Sequence, residues 1–89
     1  MANYARGIKV EYRVRDLYKY KGYRVIRSAG SRGPWDLLAY DKFNVIFIQC
    51  KNHKPTKDEL NDFNHAIIPD FCRKELWFKP CRGKVEVHK

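Results

Sequence analysis

No apolar run in this sequence approaches the ~20 residues that cross a bilayer. The opening residues, MANYARGIKVEYRVR, lack the apolar core of a secretion signal. An intracellular, cytoplasmic protein with no membrane partner is therefore expected, and the short chain would also suit a virus or mobile element. Cysteine is sparse: Cys50, Cys72 and Cys81 contain no C-x-x-C pair. That spacing argues against a structural zinc site or a disulfide framework. Cys50 lies inside an apolar run and reads as a small buried hydrophobe; a reducing interior disfavours a Cys72–Cys81 bridge. His53, His65 and His88 form no spaced ligand set, and His53 reads as an exposed loop residue. Repeats, linkers and low-complexity tracts are missing. The 89 residues are expected to form one domain, 1–89, small enough that a dimer partner would add stability.

What is present suits a packed, basic domain. Hydrophobic residues make up 44% and aromatics 15%, too much for a disordered chain. Acidic residues are outnumbered, giving a net charge of +9, and the excess is uneven. Residues 1–33 carry nine Lys/Arg against two acids, whereas residues 34–62 carry four against five. A basic N-terminal third beside a mildly acidic middle suits a polyanion binder whose centre holds a cation. A solvated cationic surface accounts for the same numbers equally well.

Hydrophobic spacing predicts a helix over Tyr4–Lys21, with Val10, Val14, Leu17 and Lys21 at 4-3-4 intervals and Gly22 at the C′ position. A short strand follows at Tyr23–Ser28, then loop chemistry in AGSRGP, Ala29–Pro34. WDLLAY and NVIFIQCK read as two strands, the second continuous enough to be central and buried on both faces. Thr56 and Glu59 have the spacing of a capping box for a helix that runs past Leu60, Phe63 and Ile67 until Pro69 closes it. KELWFK and KVEVHK read as two final strands around a Pro80–Gly83 turn. Trp77 and Phe78 are expected in the core or a dimer interface. The order is helix, three strands, helix, two strands: an α/β fold with a small mixed sheet.

A four-residue loop, Asp41 to Asn44, would pair Tyr40 with Val45, Leu38 with Phe47 and Asp36 with Gln49. Cross-strand partners share a face, and Lys51 points to the same side as Gln49. Glu11 borders the apolar stripe of the first helix, where a carboxylate needs a partner, and it is placed to reach the same end of the hairpin. Two acids and an amide oxygen are hard ligands that suit Mg²⁺ or Mn²⁺ better than zinc. A nearby lysine suits phosphodiester hydrolysis, where charge grows on the phosphoryl oxygens. Taken alone, the short pattern is as easily a turn aspartate with two polar residues at a strand end. The tyrosines among the basic residues, Tyr4, Tyr12, Tyr18, Tyr20 and Tyr23, suit either base stacking or packing.

Glu11 on the first helix, GPWD ending at Asp36, and FIQCK ending at Lys51 resemble the PD-(D/E)XK nuclease superfamily. Within it they are most similar to archaeal Holliday-junction resolvases, over roughly residues 5–70. The resemblance implies a restriction-endonuclease-like αβββαβ core with a small mixed central sheet flanked by helices. It also implies a metal-dependent DNA endonuclease, a homodimer acting on branched DNA and leaving 5′-phosphate and 3′-hydroxyl ends. Carried over residue by residue, Asp36 is the central metal ligand and Gln49 occupies the variable acid position. Lys51 is the motif lysine, Glu11 the first-helix glutamate, and the Cys50 backbone carbonyl a further ligand for Mg²⁺ (or Mn²⁺). Ser31 matches a polar position near the scissile phosphate. Arg27 and Arg32 flank it as phosphate contacts, and Arg6, Lys9 and Arg13 of the first helix would hold the DNA backbone. Gln49 departs from the pattern, since most resolvases have glutamate there. A Q-x-K form also occurs in Mrr-like restriction endonucleases, and a glutamine carbonyl still ligates Mg²⁺. The alternative left open is a non-catalytic nucleic-acid-binding module of the same fold, with a structural subunit of a larger DNA-processing assembly behind it.

Overall fold

The computed structural model describes residues 2–28, 34–80 and 84–89, with side chains from residue 10 onward. Helix α1 (Ala2–Tyr20) leads into strands β1 (Arg24–Arg27), β2 (Leu37–Tyr40) and β3 (Val45–Lys51). Helix α2 (Lys57–His65) then precedes β4 (Arg73–Phe78) and β5 (Glu86–His88). The strands form one sheet in sequence order, β1 to β5. Only the β3–β4 pair is parallel, and α2 supplies the crossover that a parallel pair requires. The architecture is α/β with a small mixed sheet, consistent with a restriction-endonuclease-like fold.

Alternation along the strands explains which face carries the main core. Leu37 and Ala39 of β2 and Ile46 and Ile48 of β3 are buried and pack against Val10, Val14 and Tyr18 of α1. The helical contact runs at i, i+4, i+8, so Tyr18 takes a core position and Leu17 is only half-buried. The other side of β3, with Val45, Phe47, Gln49 and Lys51, is half-buried rather than fully covered. The sequence expectation of burial on both faces therefore holds for one face only. Phe47 there meets Trp35, with ring centroids 5.5 Å apart, and Trp35 meets the buried Phe63 of α2 at 6.2 Å.

Local signals set the element ends. Gly22 adopts φ +96°, a conformation open to glycine. Tyr23 N–H bonds the Tyr18 carbonyl at 3.0 Å and Gly22 N–H the Lys19 carbonyl at 3.0 Å, which is a Schellman ending. The Asp41 carboxylate accepts from the backbone N–H of Phe43 (2.8 Å) and Asn44 (2.7 Å). The four-residue loop forms as expected, and Tyr40 pairs with Val45 and Leu38 with Phe47. Helix α2 stops at His65, short of the expected end near Pro69. Ala66 is already extended, and the Lys74 ammonium takes the carbonyls of Phe63, Asn64 and Ala66 at 2.7–3.0 Å. Those carbonyls gain a partner from β4 that the sequence pattern does not reveal, and Ile67 is left 94% exposed. Cys72 is a free thiol; Cys81 lies outside the described residues.

One charged residue is fully buried among the described residues. Glu75 of β4, 3% exposed, accepts from the Tyr18 hydroxyl and from Trp77 Nε1 at 2.9 Å. Burial and the neighbouring Glu75 carboxylate push the Tyr18 hydroxyl up, well above the usual phenol range. Replacing Glu75 by alanine strands both donors, at about 1–3 kcal/mol for each, whereas Glu75→Gln keeps an acceptor in place. Urea denaturation is expected to show a much larger loss for Glu75→Ala than for Glu75→Gln; equal losses would contradict this reading.

Candidate active site

The β2–β3 ladder keeps its register down to Leu37 opposite Ile48. One residue beyond, Asp36 N–H also bonds the Ile48 carbonyl, at 2.8 Å, while its own carbonyl accepts from Ser28 N–H at 2.9 Å. Two successive residues thus meet one, the arrangement of a β-bulge, which bends a strand and re-aims its side chains. The expected pairing of Asp36 with Gln49 is corrected here, because the bulge takes up the residue that would have continued the ladder. The Asp36 carboxylate instead accepts the Cys50 N–H at 2.7 Å. Asp36 still reaches the end of β3, through a backbone donor rather than across the strands.

Glu11 arrives from α1. The Val10–Val14 contact with the sheet sets the helix so that Glu11, the residue after Val10, faces Arg27 of β1, with its side chain 14% exposed. Burial raises the Glu11 pKa first and the Asp36 charge raises it further, against the pull of Arg27, whose guanidinium is 3.5 Å away. Burial also raises Asp36, against the Cys50 N–H and the charges of Lys51 and Arg27. The Cys50 thiol is pushed up by burial and by the fields of both carboxylates. Glu11, Asp36, Cys50, Lys51 and Arg27 therefore form one electrostatic neighbourhood.

Lys51 ends β3 and meets a residue of α2: its Nζ lies 3.1 Å from Glu59 Oε2. Glu59 closes the capping box, with its N–H on Thr56 Oγ1 (3.2 Å) and its Oε1 accepting Thr56 N–H (2.9 Å). His53 Nε2 lies 3.0 Å from Glu59 Oε1, and His53 is exposed as expected. The Thr56 N–H, followed by His53 and Lys51, holds the Glu59 pKa down to about 2. Sequence pattern identifies Glu59 as a cap, but its approach to Lys51 depends on where α2 docks.

The remaining candidates are dispersed or undescribed. Gln49 is half-buried on β3 opposite Leu76. Arg13 is exposed. Tyr12 stands beneath two guanidinium groups, Arg15 at 4.6 Å and Arg27 at 5.5 Å from its ring centre. Ser31 and Arg32 lie outside the described residues, as do the side chains of Arg6 and Lys9. Among the described residues no group of three or more His, Cys, Asp or Glu is placed to hold a metal, which accords with an amide at position 49. Glu11 and Asp36, two carboxylates raised by burial, are hard oxygen donors of the kind that could hold a divalent ion.

The profile of the archaeal Holliday junction resolvase family (Hjc) matches residues 2–75. The chain belongs to that family. It is thereby a member of the PD-(D/E)XK nuclease superfamily, and the family implies use of a divalent metal. A curated relative, the crossover junction endodeoxyribonuclease Hjc of Methanocaldococcus jannaschii, is 40% identical over 58 residues. That match covers 65% of this chain and 43% of the relative, so the resolvase-family chain corresponds to less than half of it. No solved structure matches the chain significantly. No helix among the described residues is long and apolar enough to cross a membrane.

The pKa shifts predict opposite effects of pH on stability. Asp36 and Glu11 are raised, so the folded protein holds their protons more tightly than the unfolded chain does; their contribution is lost as pH rises through the carboxylate range. With a chelator at neutral pH, Asp36→Asn keeps an acceptor for Cys50 N–H and is expected to raise Tm; a lower Tm would contradict the assignment. Glu59 is lowered, so its contribution is complete above its ordinary value near 4.5 and disappears as pH falls toward about 2. Acid titration followed by circular dichroism should show a shallower decline in Glu59→Gln than in the parent protein.

Proposed function

We propose that the chain is a metal-dependent endonuclease that cuts branched DNA in the manner of a Holliday-junction resolvase, working as a homodimer with one site per cut strand. The observation that carries this reading is the meeting of Asp36 and Glu11, two carboxylates raised by burial, beside Lys51 at the end of β3. Asp36, Glu11, the Gln49 amide oxygen and the Cys50 carbonyl would hold Mg²⁺, with Mn²⁺ as a substitute. When bound, the ion supplies Lewis-acid polarisation of the phosphate and a more acidic water. The carboxylates orient that ion from two elements, and the Cys50 N–H fixes the Asp36 rotamer. The Lys51 ammonium offsets negative charge that grows on the phosphoryl oxygens as the P–O bond breaks. Ser31 would lie near the scissile phosphate with Arg27 and Arg32 as phosphate contacts, while Arg6, Lys9 and Arg13 would hold the DNA backbone, positioning the DNA without reading its sequence.

Gln49 favours a second reading, a non-catalytic DNA-binding module, because it removes one negative charge from the ligand set. A cleavage assay on four-way junctions, flaps, nicked and plain duplexes with Mg²⁺ and Mn²⁺ separates the two. The expected outcome is metal-dependent cutting of the junction, abolished in Asp36→Ala and slowed ~10²–10³-fold in Lys51→Ala, with junction binding retained in both. Cutting at the parental rate in both variants overturns the site, and binding without cutting under any condition favours the module.

A further inference from the structure

A lysine on a flexible four-carbon stem does not aim itself; its ammonium is strongly hydrated and has three rotatable donors. In an E-x-K arrangement, a strand carboxylate two residues away on the same face supplies a counter-charge. Here that position is Gln49, which is neutral. The charge comes from α2 instead, where Glu59 Oε2 stands 3.1 Å from Lys51 Nζ. We infer that Glu59 is the positioning residue for Lys51, replacing from the second helix the carboxylate missing at position 49. The inference rests on the nuclease reading of the site.

The capping box gives Glu59 a fixed base. Its Oε1 is occupied by Thr56 N–H at 2.9 Å and by His53 at 3.0 Å, while Oε2 faces the lysine at 3.1 Å, with His53 Nε2 farther off at 3.3 Å. A cap needs one acceptor oxygen, and glutamine at N3 serves as well as glutamate. The second oxygen and the charge are surplus to helix formation, yet they are what Lys51 meets. On its other side Lys51 feels Asp36, whose carboxyl its charge helps hold down. The ammonium is thus tied to a carboxylate anchored at a helix end, with its side chain 26% exposed, while its charge still acts on Asp36.

Glu59→Gln in the full chain separates positioning from capping, because it retains the cap and removes the charge. The first readout is independent of cleavage: NMR relaxation of the Lys51 Cε and Nζ groups, with restrained motion in the parent and a lower order parameter in Glu59→Gln. An unchanged order parameter overturns the inference. The second is single-turnover cleavage of a junction, where the rate is expected to fall roughly 10-fold or more with KM unaltered. Thr56→Ala weakens the same helix end without altering the Glu59 charge; it is expected to lower Tm while slowing cleavage far less than Glu59→Gln. Equal slowing in the two variants makes Glu59 a purely structural cap and sinks the proposal. If Glu59→Gln does not fold, Glu59→Asp, which keeps the charge but loses the reach, is expected to show the same freed Lys51. A parent protein that cuts nothing defeats the nuclease reading, while the NMR comparison still decides whether Glu59 restrains the lysine.

Discussion

The packing of Val10, Val14 and Tyr18 onto Leu37, Ala39, Ile46 and Ile48 is the constraint from which the polar geometry follows. It sets the rotation of α1 about its axis, and with it the position of Glu11, one residue beyond a core valine. Burying such side chains contributes about 1.5–3 kcal/mol each, far more than a surface ion pair. The apolar contact can therefore hold two carboxylates near one another against their repulsion. Without it, Glu11 and Asp36 would be two solvated acids 25 positions apart in the chain.

The site is consequently a place where stability is given up. Both acids are raised by burial, and among the described residues Arg27, Lys51 and the Cys50 N–H oppose the effect. Such an arrangement suits a positive ion, which replaces repulsion with coordination. In the proposed ligand set, an amide at position 49 would lessen this internal repulsion. That same neutrality leaves Lys51 without a strand carboxylate, and Glu59 of α2 meets it instead. The two helices thus serve the sheet differently: one brings Glu11 toward Asp36 and the other brings Glu59 to the lysine.

Three further charged residues serve the fold itself. Asp41 closes the hairpin by accepting two backbone N–H groups, and Lys74 closes α2 by donating to its carbonyls. Glu75 satisfies two donors beneath α1. These three explain why a strongly basic chain still folds around acids and why not every lysine is available to a polyanion. Arg13 and Lys19, exposed on α1, remain turned to solvent.

By itself the sequence determined everything with a short range. Gly22 as a helix ending, the Thr56–Glu59 capping box, the four-residue turn at Asp41 and the order of elements were all legible, because each depends on neighbours within a few residues. The family was legible too, from Glu11, GPWD and FIQCK taken together. Tertiary structure decided what depends on the docking of distant segments. The bulge at Asp36 could not be foreseen, since its extra hydrogen bond goes to Ile48 and its carboxylate to Cys50 N–H. Ending α2 at His65 required Lys74 from β4, and the buried Glu75 required Tyr18 from α1. The meeting of Lys51 with Glu59 belongs to the same class: the cap is written locally, but which side chain its second oxygen faces is settled only when the helix packs against the sheet.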